Sequence, residues 1–77
     1  GKHTIARNSM VQDGCFVAGE VIDSTLLTGV TINSGAVVSN CLIGERAVIG
    51  SDAKLTNVVV GHGSVVPAGH IQSEGTI

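Results

Sequence analysis

Aliphatic residues recur every five or six positions along the whole chain: Ile5, Val11, Val17, Val21, Leu26, Ile32, Val38, Ile43, Ile49, Leu55, Val60, Val66, Ile71 and Ile77. Two residues before most of them sits something small: Ser9, Cys15, Gly19, Ser24, Ala36, Cys41, Ala47, Ala53, Ser64, Gly69 or Gly75. No apolar pattern repeats at three and four, and Gly recurs too often for helices, so the spacing predicts short strands separated by corners. From Leu26 the steps run 6, 6, 5 and then repeat, returning the chain to the same face every 17 residues. Leu26, Ile43, Val60 and Ile77 are thus expected to stack on one face. Ile32, Ile49 and Val66 share the second face, and Val38, Leu55 and Ile71 the third. Before Leu26 the steps shorten to 6, 4, 5 at Gly19 and Glu20, which predicts a tighter first coil.

The polar positions support the same geometry. Three residues before a guide aliphatic the chain must turn, often through a left-handed backbone conformation. That place is held by Gly14, Asp23, Gly29, Gly35, Asn40, Asp52, Asn57 and Gly63, the residue types that adopt it at least cost. Arg46 is the exception, and its corner is where strain is expected. Asn40 and Asn57, one coil apart, should stack as an amide ladder. Repeats of this length, each supplying one strand and one corner, are the signature of a parallel β-helix of hexapeptide repeats. The expected architecture is all-β, with about four to five triangular coils.

Size and charge change the picture in two ways. At 77 residues the chain is a single domain (1–77) near the lower limit of independent stability, so a piece of a longer chain, an oligomer, or both is expected. The net charge of −2, the absence of Trp and Tyr, and the lack of a basic stripe exclude a nucleic-acid module; Phe16 is the only stacking platform. No apolar run reaches the length of a membrane span and no signal-peptide pattern opens the chain, so the default address is cytoplasmic. Cys15 and Cys41 occupy small inward positions on different faces, about two coils apart at roughly 4.8 Å per coil. That separation is too large for a disulfide and predicts buried free thiols.

Residues flanking the guide column should face outward: Leu42 and Val59 on the first face, Val48 and Val65 on the second, Val37, Lys54 and His70 on the third. Exposed apolar pairs on two faces predict packing against another domain or subunit through Leu42, Val48, Val59 and Val65. Candidate anion contacts are few and isolated: Arg7, Arg46 and Lys54.

The order of the motifs goes beyond a generic repeat. Asn8 to Cys15 (NSMVQDGC), Gly19-Glu20-Val21, Ser24-Thr25-Leu26-Leu27 and Gly29-Val30 follow in register. Then come Gly35-Ala36-Val37-Val38, Val48-Ile49-Gly50, Ala53-Lys54-Leu55, Asn57 to Val60, and Val65-Val66-Pro67-Ala68-Gly69. This string resembles the C-terminal β-helix of bacterial glucose-1-phosphate adenylyltransferases (ADP-glucose pyrophosphorylases), including their glycogen-biosynthesis partner subunits. The resemblance implies a left-handed coil, against the general right-handed preference of parallel crossovers. It also implies a parent that joins ATP and glucose 1-phosphate, with the catalytic domain absent from this chain. Mg2+ is expected only in that domain, and no cofactor in this segment.

By the same resemblance the segment serves assembly and regulation, its partners being its own N-terminal catalytic domain and other subunits. Members of that family commonly place an Asp followed by Lys or Arg after the strand equivalent to Val58–Val60, near where phosphorylated effectors are read. Here the pair is Gly61-His62, and a neutral His offers no permanent charge. The candidate effector residues are accordingly Arg46, Lys54 and His62, with an anionic effector as ligand. Three other readings compete. An acyl- or acetyltransferase would use His62 or His70 as a base in a cleft completed by a neighbouring subunit. A zinc enzyme would need three ligands from His3, His62 and His70, which lie far apart. A non-enzymatic structural module would need only capped ends.

Overall fold

A computed structural model describes residues 5–77; His3, one of the ligands weighed for zinc, lies outside the described residues. Fourteen short strands wind into three parallel sheets. The first sheet stacks β1 (Ile5–Arg7), β4 (Glu20–Ile22), β7 (Val37–Ser39), β10 (Lys54–Thr56) and β13 (Ile71–Gln72). The second stacks β2 (Met10–Val11), β5 (Thr25–Leu26), β8 (Leu42–Ile43), β11 (Val58–Val60) and β14 (Gly75–Thr76). The third holds β3 (Phe16–Val17), β6 (Thr31–Ile32), β9 (Val48–Ile49) and β12 (Val65–Val66). Three strands make one coil, so the chain is a solenoid of more than four turns, 28 Å long and 20 Å across. Among the described residues no helix is long and apolar enough to cross a membrane.

Each strand pairs with its equivalent one coil on, in strict register. Leu26 lies beside Ile43 and Ile43 beside Val60. Ile32 lies beside Ile49, and Ile49 beside Val66. Backbone bonds carry the same register through the corners, as in Thr25 N–H to Cys41 C=O at 3.0 Å and Val37 N–H to Ala53 C=O at 2.8 Å. The guide aliphatics from Val21 to Val66 are buried in one continuous column, with Ala36, Ala47 and Ala53 filling the corners beside them. Val30 and Val58 are also buried at such corners, so the small inward position accepts Val where the coil has room.

The first coil is shorter, as the spacing predicts. Val11 pairs with Leu26 and Val17 with Ile32, a 15-residue return, against 17 residues later in the chain. The shortening falls at Gly19. A Cβ there would sit 2.3 Å from the carbonyl oxygen of Ala36, so only glycine lets the chain cut this corner.

All eight predicted corner residues have positive φ, and Arg46 shares the conformation at φ 58°. A left-handed backbone costs an L-residue with a Cβ roughly 1–2 kcal/mol, so the strain expected at Arg46 is present. The amide ladder also forms: Asn40 Nδ2 donates to Asn57 Oδ1.

The guide-column expectations that fail lie at the ends of the column. Ile71 is not a guide residue: Lys54 pairs with Ile71 and Leu55 with Gln72, so Gln72 takes the inward place and Ile71 is 75% exposed. The 17-residue repeat wins over the choice of the more apolar neighbour, because a one-residue slip would turn the whole strand inside out. The same register makes Gly69 a left-handed corner (φ 76°) rather than the small inward residue. It moves His70 from the outer face to the half-buried corner beside the column, equivalent to Ala53. There its Nε2 meets Gln72 Oε1 at 2.8 Å. At the other end Ala6, not Ile5, lies opposite Val21.

This register has a direct consequence for stability. Leu55→Ala empties a buried site and should cost about 2–5 kcal/mol. Ile71→Ala should stay within about 0.5 kcal/mol, as exposed substitutions do. Urea unfolding of the two variants measures both; equal losses would place Ile71 in the column.

Candidate functional site

The chain passes from the second sheet to the third along one edge, at 12–15, 27–30, 44–47 and 61–64. Arg46 and His62 stand on this edge in neighbouring coils. The Arg46 stem lies over Gly29 of the preceding coil, its Cγ 3.1 Å from where a Cβ on Gly29 would be. His62 turns its Nδ1 to the backbone of the coil before it, accepting from the Glu45 N–H at 2.8 Å. The Gly63 N–H closes the same corner by donating to the Glu45 carbonyl at 2.8 Å. Lys54 is elsewhere, on the outer surface of the first sheet, paired with Val37 on one side and Ile71 on the other. The fold therefore gathers two of the three sequence-selected basic candidates on one edge and leaves Lys54 on a different face. Arg7, on β1, pairs with Ile22 in that same first sheet.

Outward residues form two apolar ladders that flank this edge. On the second sheet the ladder reads Met10, Thr25, Leu42 and Val59, paired coil to coil. On the third it reads Phe16, Thr31, Val48 and Val65. Leu42, Val59 and Val65 are exposed, at 42%, 45% and 69%, and Val48 is half-buried. Met10 and Phe16 extend the ladders into the first coil and are exposed as well. Sequence reasoning passed over these two, although each precedes a guide residue (Val11, Val17) at the offset that singled out Leu42 and Val48. Parallel sheets in most folds are covered on both faces, whereas the outer faces of the second and third sheets here are covered by no other segment among the described residues.

The corner between the first and second sheets is sealed by a column of small polar side chains. The Ser24 N–H donates to Ser9 Oγ at 3.1 Å, and the Cys41 N–H to Ser24 Oγ at 3.0 Å. The Val58 N–H then reaches Cys41 Sγ at 3.5 Å. Each of these side chains donates back to the carbonyl two residues before it: Ser9 to Arg7, Ser24 to Ile22 and Cys41 to Ser39. The column satisfies corner amides that the strands leave unpaired. Both cysteines are free; Cys41 is buried as expected, but Cys15, in the first coil with no coil before it, is only half-buried and donates to the Leu27 carbonyl at 3.1 Å. Burial pushes the Cys41 thiol above its ordinary value of 9.0, partly opposed by its backbone bonds at Val58 and Ser39.

Among the described residues no three His, Cys, Asp or Glu side chains gather closely enough to hold a metal ion. His62 stands on the edge between the second and third sheets, while His70 is turned into a corner of the first sheet. The described surface has no cavity for a small substrate, and no coil carries an inserted loop that would shape an acyl-carrier cleft. What this chain presents is a ribbed surface.

Three in-register parallel sheets around one aliphatic column define a hexapeptide-repeat β-helix. Comparison with known proteins narrows this class. A family profile described as "GlmU-like, C-terminal hexapeptide" matches residues 1–73, and the chain belongs to that family. It is also similar to the glucose-1-phosphate adenylyltransferase of Francisella tularensis subsp. novicida, at 31% identity over 100% of this chain and 18% of that protein. The enzyme of the same name from Roseobacter denitrificans is 37% identical over 96% of the chain and 18% of its own length. That from Agrobacterium fabrum is 39% identical over 90% of the chain and 17% of its own length. The chain thus spans less than a fifth of the length of these relatives.

The buried thiol makes stability depend on pH in a defined direction. The folded state holds the Cys41 proton more tightly than the unfolded state, so its contribution is complete below about pH 9 and falls as pH rises further. Cys41→Ser keeps an acceptor for the Val58 N–H, as Ser24 does one coil earlier for Cys41. Between pH 7 and pH 10 the wild-type melting temperature should therefore drop further than that of Cys41→Ser. Parallel losses in the two proteins would show that the thiol proton is not held by the fold.

Proposed function

We propose that this chain is the C-terminal β-helix of a sugar nucleotidyltransferase of the glucose-1-phosphate adenylyltransferase type, serving assembly and regulation while the chemistry resides in a separate catalytic domain. The carrying observation is the asymmetry of the match: nearly all of this chain aligns with less than a fifth of each relative. An adenylyl transfer needs a nucleotide pocket and metal-binding acids, and the described residues offer neither. In the parent, Mg2+ belongs with ATP and glucose 1-phosphate in the remaining domain, which releases ADP-glucose and pyrophosphate.

The two apolar ladders are the contact faces in this reading. Leu42 and Val59 on one side, and Val48 and Val65 on the other, pack against the catalytic domain or a neighbouring subunit and so cover the bare outer sheets. Regulation uses the edge between the ladders. Arg46 and His62 there meet an anionic effector, and Lys54, on another sheet, acts at most on a separate contact.

The test uses the natural chain that carries this segment. That chain should form ADP-glucose from ATP and glucose 1-phosphate, and the 77-residue segment alone should not. Val48→Asp with Val65→Asp should lower the assembly's mass in light scattering while leaving basal turnover within about threefold, because a contact face lies away from the reacting atoms. A parent without nucleotidyl transfer overturns the assignment. A double variant with unchanged mass and unchanged contacts to the catalytic domain overturns the interface.

A further inference from the structure

We infer that His62 is a proton-operated latch on the edge between the two apolar ladders. The inference rests on one arrangement: Nδ1 of His62 accepts from the backbone N–H of Glu45, at 2.8 Å, across the gap between two coils. A ring nitrogen can accept only when it carries no proton, so this bond fixes neutral His62 with its hydrogen on Nε2. Protonation converts Nδ1 into a donor facing another donor. The bond is then lost, and the ring must turn away from the corner.

The charged groups around the ring decide what the latch does. Glu45 and Arg46 share the preceding corner with the backbone that His62 holds, and Asp13 stands three coils away on the same edge. The corner pair is balanced, one carboxylate against one guanidinium. Neutral His62 leaves that balance undisturbed and closes the Glu45 amide. Protonated His62 adds a positive charge and releases the amide as a free donor, and both changes favour an anion. The edge is thereby closed to anions while the ring is neutral and open to them once it is protonated. This consequence rests on the reading of the edge as an effector contact; the latch itself does not.

Nuclear magnetic resonance of the 77-residue chain separates the two. Between pH 8 and pH 5 the Glu45 amide shift should titrate with the same midpoint as the His62 ring. Its protection against hydrogen exchange should fall roughly fivefold, as expected for one net hydrogen bond. His62→Gln keeps an acceptor that does not titrate and should hold the Glu45 amide protected throughout. His62→Lys offers no acceptor and should leave it unprotected throughout. A Glu45 amide that ignores the His62 titration overturns the latch. Sulfate, whose charge is constant over this range, should bind more tightly at pH 5 than at pH 8 in the wild type and equally at both in His62→Gln. An amide that follows His62 without a gain in sulfate binding upholds the latch and overturns the effector reading instead.

Discussion

Everything in this molecule depends on the hydrogen-bonded register between one coil and the next. The strands are only two or three residues long and none would persist alone. What holds them is that each finds its equivalent 17 residues on (15 in the first coil), with backbone bonds continuing through the corners. The register stacks like on like, which yields the aliphatic column within, the Ser9–Ser24–Cys41 column at one corner and the Asn40–Asn57 pair beside it. It also fixes where exceptions are tolerated. Arg46 bears a left-handed backbone because both neighbouring coils demand a corner there, and Gly19 is glycine because Ala36 of the next coil leaves no space for a Cβ.

That constraint explains what could be read from the sequence. In the middle of the chain each guide position has a partner in both adjacent coils, and the spacing there identified the column, the corners and the exposed ladders correctly. At the ends one partner is missing and local composition misleads. Ile71 is more apolar than Gln72 and was the natural guide residue, yet the repeat from Leu55 puts Gln72 inside. The same shift turned His70 inward. Strict counting by 17 from Val38 would have found it, since Val38, Leu55 and Gln72 are equally spaced. The bond from the Glu45 amide to His62 was not legible at all, because spacing places two residues on one edge without saying which atom turns toward which. Met10 and Phe16 were legible by offset and were missed because the first coil has a different length.

The division between inside and outside also bears on function. A solenoid satisfies its core with one column of side chains, which leaves three flat outer surfaces free to evolve contacts. Here two of these surfaces carry apolar ladders and enclose an edge with a carboxylate, a guanidinium and an imidazole in adjacent coils. The described surface has no cavity, and the relatives it matches are more than five times as long.

The central claim is that coils, not a single globular core, are the units of this fold. Deleting residues 43–59 tests it most directly, because it removes one complete 17-residue coil and joins Leu42 to Val60, the positional equivalent of Ile43. The account predicts a shorter chain that keeps its β-sheet circular dichroism and unfolds cooperatively at a lower temperature, since one coil-to-coil interface is gone while every column remains in register. A deletion product that is unfolded, or that melts without cooperativity, would contradict it.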